Sequence, residues 1–195
     1  MQRITLLIIP GLIAIALFIG ISSFDSIGTP EDSQQELRTL DYSAYSEGIN
    51  TILYDINGQI NYTLQAVKQI HYNDDTAKIE KPFIKLYENG NSRWNIVANS
   101  GKISAVESDS NANVQTIELS GNVEVHSIDN LGNKMVMSTE FLTLDPDLNI
   151  LETNNPVTVV TDTLQVSSIG LIANLKTDEF TFLHDIKGSY EQATN

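Results

Sequence analysis

The 195-residue chain carries 11 Lys and Arg against 25 Asp and Glu, a formal net charge of −14, and no Cys. An acidic surface of this kind repels phosphate backbones, which makes nucleic-acid binding by counterion release a poor reading. The lack of Cys removes disulfides, a thiolate nucleophile and a Cys-ligated zinc site. The length suits one domain, or one domain plus an anchor, and leaves no room for a second catalytic domain.

The first element is apolar. Ile4 to Ile21 is uncharged and has Thr5 as its only polar side chain. As a helix it measures about 27 Å, close to the ~30 Å hydrocarbon core of a bilayer. Ile21-Ser22-Ser23-Phe24 lacks a clear small-residue cleavage pattern, so the expectation for residues 1–24 is an uncleaved transmembrane anchor. Arg3 precedes the span and Asp25 is the first charge after it, which places the N-terminus in the cytoplasm and the remainder outside. Pro10-Gly11 within the span is open to two readings, a tolerated kink or close helix packing. Residues 25–48 hold Asp25, Glu31, Asp32, Glu36, Asp41 and Glu47 against Arg38 alone, and this composition predicts a flexible acidic tether.

From Ile49 the pattern is strand and turn. In Ile60-Asn61-Tyr62-Thr63-Leu64-Gln65-Ala66 every second side chain is apolar, so one face of a strand is meant for burial. Asp55-Ile56-Asn57-Gly58 predicts a hairpin turn, with Gly58 taking up the positive φ. Turn signals recur at Asn73-Asp74-Asp75, Glu88 to Asn91, Asp129 to Asn133, Asp145-Pro146-Asp147, Asn154-Asn155-Pro156 and Thr177-Asp178-Glu179, the punctuation of an antiparallel sandwich or barrel.

The frame apolar, any, apolar, any, small occurs at Tyr62 to Ala66, Trp94 to Ala98, Met135 to Thr139 and Leu164 to Ser168, with starts 32, 41 and 29 residues apart. A second landmark follows the first three copies, at Pro82-Phe83, Asn122-Val123 and Pro156-Val157, 20, 28 and 21 residues after their own starts. The longer second copy fits extra length in the polar run Val106 to Asn113, a loop that grows at little entropic cost. Related copies predict stacked strand pairs with a continuous interior and an unpaired edge at each end.

Catalytic chemistry is sparse. His71, His126 and His184 lie more than 50 residues apart with no ligand spacing, and no nucleophile elbow, zinc helix or phosphate loop is present. Asp109-Ser110-Asn111-Ala112-Asn113 starts like a calcium loop, but Val114 and Ser120 stand where Gly and Glu are required. Asp74-Asp75 and Asp145-Pro146-Asp147 sit on turn signals, which suits turn caps better than the paired acids of glycoside hydrolysis. No metal or cofactor is expected, and no enzyme activity. What remains is a set of apolar strand faces, either an ordinary core or a groove for an apolar ligand.

The order of these features resembles the LptC family of lipopolysaccharide-export proteins. The resemblance rests on the N-terminal span and tether, on Asp55-x-x-Gly58-x-x-x-Tyr62-x-Leu64-x-Ala66, on the Pro82 strand and on Trp94-x-Ile96-x-Ala98. Leu119-Ser120-Gly121-Asn122-Val123-Glu124-Val125, Asn174-Leu175 and Ser189-Tyr190-Glu191 continue it. The family's second glycine, expected after the third return strand, is Thr161 here.

The resemblance implies an all-β, elongated, antiparallel two-sheet β-jellyroll over residues 49–195. It places the domain in the periplasm, in the bridge that carries lipopolysaccharide from the LptB, LptF and LptG transporter of the inner membrane to LptA. It also implies a lipopolysaccharide groove in which Ile49, Ile79, Phe180 and Tyr190 match the family's ligand-facing positions, and Phe83, Ile96 and Phe182 from the apolar strand faces are expected to line it with them. Edge strands near Ile52 and Tyr54 would meet the transporter, and edge strands near Ile186 and Tyr190 would meet LptA. A membrane-anchored structural adaptor with a filled core, and an anchored hydrolase using Asp145 and Asp147, are the alternatives.

Overall fold

The computed structural model describes residues 42–88, 90–107, 113–128 and 132–190. The predicted membrane span and most of the tether lie outside the described residues. Eleven strands follow one another: β1 (Tyr42–Tyr54), β2 (Ile60–Tyr72), β3 (Ala77–Glu80), β4 (Phe83–Glu88), β5 (Asn91–Val97), β6 (Ser100–Glu107), β7 (Asn113–Ile128), β8 (Lys134–Asp145), β9 (Ile150–Thr161), β10 (Leu164–Asn174) and β11 (Glu179–Tyr190). Among the described residues there is no helix long and apolar enough to cross a membrane.

The strands form one antiparallel hydrogen-bonded network, in the order β11-β10-β9-β8-β7-β5-β4-β2-β3-β6, with β1 on β2 and a further pairing of β6 with β7. Strands β2 and β7 each have different partners along their two halves. Residues 62–65 of β2 pair with β4 while 68–71 pair with β3; residues 113–120 of β7 pair with β6 while 124–127 pair with β5. The register shifts at a similar level in β7, β8 and β10, between Ser120 and Val123, between Thr139 and Thr143, and between Ile169 and Leu171. Bulges and bends of this kind turn a strand from one sheet into the next.

The network therefore folds over into two layers, an arrangement consistent with a β-jellyroll. The first layer holds residues 49–54, 60–65, β4, β5, 123–128, 134–139, 156–161, 164–169 and 184–190. The second holds 42–47, 68–71, β3, β6, 113–120, 141–145, 150–153, 171–174 and 179–182.

The repeated frame acquires a physical meaning here. Its two apolar positions face the interior, as with Tyr62 and Leu64 on β2 or Trp94 and Ile96 on β5, and its small position falls where the strand turns between layers. Ala66, Ala98, Thr139 and Ser168 are all buried at that bend. A large side chain there would collide with the converging layers. The second landmark lies directly across: Val123 and Val157 are both register partners of Thr139, and Val157 also faces Ser168.

Three details depart from the sequence reading. β1 begins at Tyr42, inside the stretch that composition reads as tether; residues 42–47 are exposed on both faces and are held by backbone pairing to β2, so hydropathy carries no trace of them. Asn154-Asn155-Pro156 is a bend within β9 rather than a turn between strands. Most of the second copy's extra length goes into a longer hairpin arm, since β6 has 8 residues where β3 has 4 and Glu107 still pairs with Asn113.

Candidate functional site

The interior is apolar from end to end. Ile84, Leu86 and Ile96 from the first layer meet Ile117, Leu119, Leu142, Leu144, Leu151 and Leu171 from the second, all essentially fully buried. Near the edge strands the same inward positions are only partly covered, because an edge strand has a neighbour on one side alone. Ile49 and Leu53 of β1, and Phe180 and Phe182 of β11, pack against the core in this half-buried state.

The expected groove residues distribute unevenly over this frame. Ile79 and Ile96 face the interior from opposite layers and are closed off by packing. Ile49, Phe180 and Phe182 lie where the interior opens at the edges. Phe83 does not face the interior. On β4 the buried positions are Ile84 and Leu86, so Phe83 points outward and the Lys85 ammonium lies 5.1 Å from its ring centroid. Its place in the repeat suggested the opposite, but in this copy Pro82 itself is buried at the bend, which advances the alternation by one residue relative to Val123 and Val157. Tyr190 is 69% exposed. The expected edge residues Ile52 and Tyr54 on β1, and Ile186 on β11, are exposed on strands that, among the described residues, pair on one side only. Gly58 has φ +77 in the β1–β2 turn, where its N–H donates to the Asp55 carbonyl at 3.0 Å.

Along the bend the two layers are joined by the strands themselves. On the opposite side they meet through side chains. The Asn61 amide donates to the Pro146 carbonyl at 3.4 Å and to Asp147 at 3.3 Å. Arg93, on β5, donates to Glu88 at 2.7 Å in its own layer and to Asp178 in the β10–β11 turn across the gap. The Tyr62 hydroxyl donates to Gln115, and Trp94 packs against Phe180 with ring centroids 6.3 Å apart. The Arg93 guanidinium is held above its ordinary pKa chiefly by the bond to Glu88. Burial raises the Tyr62 phenol, and the nearby Asp147 charge adds to it.

Sequence reasoning passed over Arg93, and it read Asp178 as part of a turn and Asn61 as part of a strand without the contacts they make across the gap. Arg93 is the only Arg among the described residues and adjoins the only Trp in the chain, a signal that could have been used. The acid pairs are structural: Asp145 accepts the N–H groups of Asp147 and Leu148 at 3.0 and 2.9 Å, and Asp74 accepts that of Thr76 at 3.1 Å. Asp74 is correspondingly held below its ordinary pKa by the Thr76 hydroxyl and N–H.

Two layers, an apolar interior and open edge strands are the setting for the comparison with known families. The family described as lipopolysaccharide-assembly, LptC-related, matches residues 11–191. The chain belongs to the LptC family. No curated protein matches it. Family membership gives it a role in lipopolysaccharide transport and assembly in the cell envelope, as a transport component.

Proposed function

We propose that this domain is the periplasmic, inner-membrane-anchored link that takes lipopolysaccharide from the LptB, LptF and LptG transporter and passes it to LptA, holding acyl chains between its two layers. The observation that carries this reading is the asymmetry of the sandwich. One side is continuous backbone, the other is closed by a few polar side-chain contacts, and the apolar interior runs between two unpaired edge strands. Such a body opens along one side only. Burying acyl chains in it is worth about 0.8 kcal/mol per CH₂, roughly 10 kcal/mol for a chain of 12 to 14 carbons, which favours acyl chains as the part of the lipid that enters. The acidic surface leaves the phosphates outside. Ile49 and Phe180 stand at the two entrances, Ile79 and Ile96 line the path once the layers part, and β1 and β11 extend it by edge-to-edge strand addition to the transporter and to LptA.

One observation favours a second reading, an adaptor that binds no lipid: the interior is filled by its own side chains. Native mass spectrometry of the full-length protein with lipopolysaccharide and with a diacyl phospholipid separates the two. The transport reading predicts retained lipopolysaccharide; retention of neither lipid contradicts it and leaves the adaptor.

A further inference from the structure

The seam along the open side is incompletely packed. A gap of about 610 Å³ lies in it, bordered by Leu86 and Trp94 of the first layer and by Asn149 and Leu175 in the turns of the second. Side chains that face a gap have no partner atoms across it, so little packing is lost when the edges part there. Beside the gap, the rings of Trp94 and Phe180 join the layers.

Among the described residues, Arg93 to Asp178 is the one ion pair between the layers. Arg93 has a second carboxylate, Glu88, at 2.7 Å in its own hairpin, and its guanidinium carbon lies 5.8 Å from the Trp94 ring centroid. Parting the layers takes Arg93 from Asp178 but leaves it on Glu88, while the half-exposed Asp178 returns to water. No charge is left buried and alone, so this bond costs little to break.

Trp94 supplies an independent observation. It is 3% exposed, and its Nε1 is a buried donor with no hydrogen-bond partner among the described residues. Such a donor is a standing cost, and it falls on the closed form, because Nε1 reaches an acceptor or water only once the edges part. Against this, opening bares the faces of Trp94 and Phe180, and aromatic surface is costly in water. The two terms oppose each other at one place.

We infer that Arg93 is a latch on the open side. In the closed form it holds the β4–β5 hairpin to the β10–β11 turn through Asp178. It falls back onto Glu88 alone as the edges part, when an apolar chain replaces the contact between Trp94 and Phe180. The latch rests on the transport reading, whose Phe180 entrance it controls.

Trp94 is the only Trp and the chain has no Cys, so emission reports on the latch and introduced thiols can be linked selectively. Acrylamide quenching of Trp94 is measured on full-length protein in detergent without lipid. Asp178→Asn removes the partner across the seam, and quenching is expected to rise about two- to fivefold, the worth of an exposed ion pair. Glu88→Gln removes the partner that serves the open form, and quenching stays at or below the wild-type value. Added salt raises quenching in the wild type and not in Asp178→Asn. A rise in both carboxylate variants, or in neither, overturns the latch. If either variant loses the wild-type circular dichroism spectrum, the salt response of the wild type decides, and a flat response overturns the latch.

Asn61→Cys and Asp147→Cys, at side chains that meet across the same seam, are then joined by a short bifunctional thiol reagent. Retention of lipopolysaccharide is expected to fall about tenfold against the same variant before linking. Equal retention in both forms overturns the latch and spares the transport reading. No retention by the wild type or the unlinked variant contradicts the transport reading, and the quenching pattern then decides the latch by itself.

Discussion

At the bends, single hydroxyls replace ladder hydrogen bonds that the register shifts remove. Thr139 Oγ1 donates to the Pro156 carbonyl at 2.9 Å, Thr153 Oγ1 to the Phe141 carbonyl at 2.6 Å, and Ser168 Oγ to the Gly170 carbonyl at 2.9 Å. All three residues are buried. Thr153→Val keeps the shape and leaves the Phe141 carbonyl without this donor, so it is expected to destabilise the fold by about 1–3 kcal/mol; urea unfolding measures this, and a change within about 0.3 kcal/mol would contradict the assignment. The frame of the repeat showed a small residue at two of these positions, Thr139 and Ser168, but not why a hydroxyl stands there. That requires knowing which carbonyls the bend strands. Tyr62 gives a pH signature. Its phenol is held above its ordinary value of about 10 by burial, so the folded state favours the neutral form. Its contribution is complete below pH 10 and is lost as the pH rises beyond it. Melting temperatures from pH 8 to 11.5 should fall in the wild type, and less steeply in Tyr62→Phe.

Two of the strands, β7 and β10, bend at a glycine in the left-handed region. Gly170 has φ +83, and a Cβ there would lie 2.9 Å from Leu183 Cδ1; Gly121 has φ +78, and its Cβ would lie 2.9 Å from Asn99 Nδ2. Gly170→Ala combines unfavourable backbone with this contact and is expected to cost about 1–3 kcal/mol. Gly58→Ala has the positive φ but open space around it, so it should cost less; equal losses would show that crowding at the β10 bend is unimportant. These bends were hidden in the sequence, because the buried phase slips at some of them, from Thr139 to Leu142 on β8 and from Ser168 to Leu171 on β10, and persists through another, from Leu119 to Val123 on β7, so no single period marks them. Phe83 fell on the wrong face because Pro82, buried at the bend, advances the alternation of β4 by one residue. The link from Arg93 to Asp178 is exposed enough that a double-mutant cycle should give no more than about 1 kcal/mol, falling with added salt. A larger, salt-independent coupling would mean that the open side is firmly closed.

For the molecule as a whole, strand, turn and repeat signals made the all-β class and most hairpins legible. The register, the folding over of one network into two layers and the closure of the open side were not, since they depend on partners distant in sequence. The start of β1 was invisible for a different reason, its side chains being exposed on both faces. Acidic charge is spread over the outside and apolar side chains fill the inside, which suits a carrier that excludes phosphate and shelters hydrocarbon. The path itself is tested most directly by placing a photocrosslinking amino acid in the full-length protein, in membranes supplied with lipopolysaccharide. The positions are Ile49, Ile96 and Phe180 on the inner faces, with Val67 and Ile172 on the outside, both exposed. Crosslinks to lipopolysaccharide at the three inner positions and none at Val67 or Ile172 are predicted; equal crosslinking on both faces, or none at the inner positions in a folded protein, would contradict transport between the layers.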